Sequence, residues 1–182
     1  EFKYYPCAHV IQPYIDAVLA IVIEHDLSPD DVASVECAIA PWASAIVCEP
    51  REAKLRFDTE LEAIASLPYQ LAIAIIERGV GLSALGAPMR GRADLHRLAT
   101  RIEHRNDPSL GKNFDGTVIL RTTSGRTLEH RATTPGLNPG KLADKYQAGV
   151  GVMHGQESAS EQADRLLADS GWRAAAAILG SV

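Results

Sequence analysis

Apolar residues recur at helical spacing over residues 13–25, where Ile15, Val18, Leu19, Val22 and Ile23 fall on one face and Pro13 suits a first turn. The stretch "DLSPDD" follows; Ser28 can cap and Pro29 can open a short turn, so the chain reverses there. Residues 32–40, "VASVECAIA", alternate instead: Val35, Cys37 and Ile39 point one way and Ser34, Glu36 and Ala38 the other, the pattern of a half-buried strand that Pro41 ends. Residues 42–57 carry no clear period and are assigned a short helix and a loop. In "TELEAIASLPYQLAIAIIERG", Thr59 and Glu62 form a capping box, and Leu71, Ile75 and Ile76 continue an apolar stripe that Gly79 stops. Pro68 either kinks one long helix there or splits it into two.

Residues 92–100 predict another short helix, and "RIEHRND" alternates as a strand. "GTVILRTTSGRTLEHRATT" is a hairpin, two alternating runs joined at Ser124-Gly125. Asn138-Pro139 opens a helix to about Gln147. After the polar break "HGQESAS", Ser158 and Glu161 form a second capping box, and two helices follow. Four strands with helices on one face define an α+β fold. Residues 1–155 are expected to form the α+β domain and residues 156–182 a helical tail whose apolar stripe needs cover.

Composition narrows the function. The chain has 182 residues, enough for one domain with a real core plus an appendage. Its net charge of −5 argues against nucleic acid or an anionic membrane as partner. The loose group Arg90, Arg92, Arg97, Arg101 and Arg105 fits a solvated helix face better than a phosphate site. No apolar run approaches membrane-spanning length. Cys7, Cys37 and Cys48 are an odd set without C-x-x-C spacing, which suggests reduced thiols in a cytoplasmic protein and no zinc site. Nucleotide, zinc-protease and serine-hydrolase motifs are absent. His104 and His130 could lie on neighbouring strands, as surface residues or as metal ligands.

Two stretches carry candidate chemistry. Lys3, Tyr5 and His9 precede the first helix on a segment that Pro6 would hold extended; the lysine could bind a carboxylate or simply sit on a frayed terminus. "SLPY", residues 66–69, puts the Ser66 hydroxyl and the Tyr69 phenol at a helix break, where a ligand could use exposed backbone groups; a buried tyrosine with a satisfied hydroxyl is the other reading.

These stretches resemble, in order along nearly the whole chain, segments of the MmgE/PrpD family: "KYYPCAHVIQPYIDA", "DDVASVECAIA", "TELEAIASLPYQLAIAI" and "FDGTVILRTTSGRTLEHRATTPGLNP" followed by "LADKY". The family includes 2-methylcitrate dehydratase, cis-aconitate decarboxylase and iminodisuccinate epimerase. The resemblance implies the smaller, C-terminal α+β domain of such a lyase or isomerase, with the tail helices returning to an N-terminal helical domain not contained in this chain. It implies a di- or tricarboxylate substrate in the cleft between the two domains, no metal or organic cofactor, and a chain divided near a domain boundary.

By the same resemblance Lys3 and Tyr69 are the catalytic candidates, and His9, Gln12 and Ser66 the substrate-binding ones. Gln12 stands where many members carry a histidine. A homo-oligomer is expected, through the tail. The competing reading is a non-catalytic α+β module that binds a small molecule or a partner.

Overall fold

The computed structural model describes residues 3–56, 58–134, 136 and 138–154, the side chains of 148 and 150–154 excepted. The chain divides into two compact units, one reaching to Pro135 and the other starting at Gly136. The helical tail expected over residues 156–182 lies outside the described residues.

The first unit opens with a 3-10 turn, His9–Ile11, running into α1 (Gln12–Glu24). After a second 3-10 turn, Pro29–Asp31, the chain forms β1 (Val32–Ile39). The segment without clear period resolves into α2 (Pro41–Val47) and α3 (Arg51–Leu55), separated by a cis Glu49–Pro50 bond. Next come α4 (Glu60–Ile64) and α5 (Leu67–Glu77), so Pro68 marks a split and not a kink. A 3-10 turn (Leu82–Leu85), α6 (Ala87–Arg90) and α7 (Ala93–Ala99) lead to β2 (Ile102–Asn106), β3 (Gly116–Thr122) and β4 (Thr127–Ala132). The second unit contains α8 (Pro139–His154), which runs beyond its expected end near Gln147. The Asn138 side chain accepts the Lys141 N–H at its start, at 3.1 Å.

The sheet order is β2-β1-β3-β4, with β2 parallel to β1 and the other pairs antiparallel. Val35 pairs with Leu120 and Cys37 with Val118; all four are buried on the face that α1 and α5 cover. Ser34, Glu36, Ile119 and Arg121 alternate onto the other face. The hairpin turns where expected, with Gly125 at φ 86°, a conformation that costs glycine little. His104 and His130 are not neighbours: β2 and β4 are opposite edges of the sheet, so the two histidines do not share a site.

Tyr14 fixes α1 on the sheet. Its hydroxyl donates to Ala38 O at 3.0 Å and reaches Asp115 O at 3.3 Å. Gly116 makes that approach possible, because a Cβ there would stand under 3.0 Å from both the Tyr14 hydroxyl and Ala38 O.

The arginines do not form one solvated face. Arg90 donates to Leu85 O, Arg92 pairs with Glu77 and Asp94, and Arg101 donates to Val32 O at 2.9 Å. Arg105 reaches Glu36 at 3.4 Å. Among the described residues no helix is long and apolar enough to cross a membrane.

Candidate functional site

The lysine-bearing segment is anchored, and it bends where an extended run was expected. Tyr4, Cys7, Val10 and Ile11 are buried, while Lys3 is exposed. The Cys7 N–H donates to Tyr5 O at 2.9 Å, which turns the chain around Pro6. Gln12, the first residue of α1, is buried beneath this turn. Its Oε1 accepts from the backbone N–H groups of Tyr4 (2.9 Å) and Tyr5 (3.3 Å). Its Nε2 donates to Tyr5 O (2.9 Å) and to Cys7 Sγ (3.4 Å).

One helical turn on, Asp16 Oδ1 accepts from the Tyr5 hydroxyl at 2.5 Å. Burial, and then this bond to a carboxylate, push the Tyr5 phenol well above its ordinary range, so it remains a donor. The sequence carried Asp16 only within the stretch "KYYPCAHVIQPYIDA"; its pairing with Tyr5 has no local signal.

The helix break at "SLPY" is built from caps. Thr59 and Glu62 make the expected capping box at the start of α4. The Ser66 hydroxyl accepts from the Tyr69 N–H at 3.3 Å, capping α5, and donates to Lys54 O at 2.6 Å. The Tyr69 side chain is buried and its hydroxyl donates to Ala84 O at 3.0 Å, in the turn between α5 and α6. Burial raises the Tyr69 phenol; nearby Arg90 and Arg92 pull it partly back. The loop's far end is tied down by His96, whose Nε2 lies 2.6 Å from Arg90 O and whose Nδ1 lies 3.1 Å from Leu55 O.

One backbone bond brings the two stretches together. The Ala8 N–H donates to Ile64 O at 3.0 Å, joining the lysine-bearing turn to the end of α4, two residues before Ser66. His9 turns toward the sheet end, stacked on Phe114 at 6.1 Å, and Phe114 packs in turn on Trp42. Among the described residues two buried side-chain atoms have no hydrogen-bond partner, His9 Nε2 and Gln70 Oε1. Gln70 sits beside the same junction, its Nε2 donating to Ala63 O at 2.9 Å.

Two depressions flank these elements. One is lined by Val10, Tyr14, Ile39 and Phe114, and the other by Cys48, Arg51, Pro68 and His104. Neither has room for even a water-sized molecule, so neither is a small-molecule pocket. Among the described residues no three His, Cys, Asp or Glu side chains are grouped to hold a metal ion.

A four-stranded mixed sheet under α1 and α5, entered through a clamped basic turn and followed by a capped helix break, defines an α+β domain of a recognisable type. The chain matches the model of the MmgE/PrpD C-terminal domain over residues 5–169. It therefore belongs to the MmgE/PrpD family. The match covers Gln12, Ser66 and Tyr69 and begins two residues after Lys3. A search of curated proteins finds no match to the chain.

Proposed function

We propose that this chain is the smaller domain of a lyase or isomerase acting on a di- or tricarboxylate, of the 2-methylcitrate dehydratase type. It would form one wall of a site whose other wall is a helical domain, with no metal or organic cofactor. Family membership over residues 5–169 is the observation that supports the reading. Losing water, a proton or CO2 next to a carboxylate builds charge on that carboxylate, and a cation held in a dry cleft stabilises such charge far better than one in water. Lys3 is the cation in this reading, with Tyr69 orienting the substrate or relaying a proton and His9 a further substrate-binding candidate on the same segment.

Ser66 and Gln12 enter differently from a simple substrate ligand, because the bonds they make are internal ones. The buried thiols of Cys37 and Cys48, which form no disulfide, support a reducing, cytoplasmic setting. A homo-oligomer belongs to the same proposal; light scattering of the chain, whole and cut at Gly155, tests it.

The kinetic test joins the chain to an MmgE/PrpD helical domain and assays 2-methylcitrate, cis-aconitate and iminodisuccinate. Lys3→Ala should lower kcat/KM by about 100-fold, the worth of one charge-stabilising donor in a transition state. Wild-type kinetics in that variant would leave Lys3 a surface lysine. The chain without a helical domain should show no turnover, since one wall cannot hold the reacting atoms in place. The competing reading, a non-catalytic binding module, draws on the internal engagement of Ser66, Gln12 and the Tyr69 hydroxyl, and expects carboxylate binding without turnover in any combination of domains.

A further inference from the structure

We infer that Gln12 is a positioning residue for Lys3: its carboxamide clasps the Tyr4–Cys7 backbone and so fixes where the lysine stands. The inference rests on the reading that Lys3 meets a substrate carboxylate. A primary amide offers two acceptor sites on its oxygen and two N–H donors. In Gln12 all four are used on the turn: Oε1 takes the N–H groups of Tyr4 and Tyr5, and Nε2 gives one bond to Tyr5 O and one to Cys7 Sγ. Nothing is left over for a substrate. A ligand could engage Gln12 only by undoing the turn.

The arrangement acts on Lys3 directly. The Tyr4 N–H belongs to the peptide unit that joins Lys3 to Tyr4, and a peptide unit is planar. Holding that N–H against a buried side chain fixes the orientation of the plane, and with it the Cα of Lys3. Lys3 itself is exposed, and the position of its Cα sets the region within which its ammonium can act.

A second hold comes from Asp16, one turn along the same face of α1, which takes the Tyr5 hydroxyl at 2.5 Å. A third is the Ala8–Ile64 bond to the end of α4. Helix α1 is seated on the sheet by Tyr14, so the turn inherits a rigid base. The chemistry at position 12 is selective. Glutamate could accept from the two N–H groups but not donate to Tyr5 O, and leucine could do neither.

The test uses Gln12→Leu and Gln12→Glu in the intact protein, read by hydrogen exchange and by kinetics. Leucine should speed exchange at the Tyr4 and Tyr5 amides by about tenfold or more, with the α1 amides of Val18 and Val22 unchanged. Glutamate, which keeps the acceptor, should fall between leucine and wild type. Gln12→Leu should lower kcat/KM, and this loss should vanish in a Lys3→Ala background, because the clasp acts only through the lysine.

Unchanged exchange at Tyr4 and Tyr5 in Gln12→Leu would overturn the clasp. The same kinetic loss with and without Lys3 would also overturn it, and would make Gln12 a substrate contact. If Lys3→Ala alone leaves kinetics untouched, the functional reading fails and the positioning role falls with it; the exchange data then decide separately whether the clasp exists.

Discussion

Gly116 and Tyr14 form a close contact on which the seating of α1 depends, and Gly116→Ala measures it. A Cβ at residue 116 would stand under 3.0 Å from the Tyr14 hydroxyl and from Ala38 O. The second of these is backbone of β1, the strand next to β3, so it cannot rotate away. Forcing a methyl group into a packed site costs about 1–3 kcal/mol. If Tyr14 yields, its hydroxyl loses Ala38 O and Asp115 O, and buried groups left unpaired cost about 1–3 kcal/mol more. Alanine returns about 0.4–1 kcal/mol by restricting the unfolded chain. The net expectation is a loss of about 2–4 kcal/mol, or about 5–15 °C in Tm for a domain of this size. Urea and thermal unfolding of Gly116→Ala, alone and with Tyr14→Phe, supply the measurement. The phenylalanine background should relieve only part of the alanine's cost, since the clash with the hydroxyl goes while those with the ring Cζ (2.7 Å) and with Ala38 O stay. Gly111→Ala, where a Cβ meets nothing within 4 Å, should stay within about 0.5 kcal/mol of wild type. A Gly116→Ala protein as stable as Gly111→Ala would refute the reasoning.

Tyr69→Phe keeps the ring and removes only the hydroxyl that donates to Ala84 O, so stability should fall by about 1–2 kcal/mol; no loss would mean that the phenol does not tie down the turn at Leu82–Leu85. Joined to an MmgE/PrpD helical domain, the same variant tests the proposed function: kcat/KM should fall as well if the phenol relays a proton. Burial raises the Cys48 thiol to about 12, while in the unfolded chain it ionises near 8.5–9. The native state thus favours the neutral thiol: the contribution of Cys48 is complete below about pH 8.5 and is lost as pH rises toward 12. Cys37, buried in β1, shifts in the same direction. Native protein at pH 8 should resist thiol reagents at both positions, and rapid labelling of Cys48 there would contradict its burial.

Local signals carried much of this domain. The alternation over residues 32–39 became β1, the Ser124-Gly125 pair became the hairpin turn, and Thr59 with Glu62 became the expected capping box. Each depends on neighbours within a few positions, and the chain states such relations directly through period and caps. The ordered motifs likewise pointed to the family that the domain match then showed. Tertiary structure decided what depends on distant partners. Nothing local says that β2 lies parallel to β1 at one edge while β4 closes the other, separating His104 from His130. Pro6 alone suggested an extended start; the bend follows from a buried amide eight residues beyond Tyr4. The Tyr69 hydroxyl found its acceptor fifteen residues on, and the arginines found theirs on several elements. These contacts cost loop-closure entropy and form only once the core fixes both ends. That is why the sequence could name Gln12 as a candidate while only the folded chain shows its four bonds turned inward on the segment that carries Lys3.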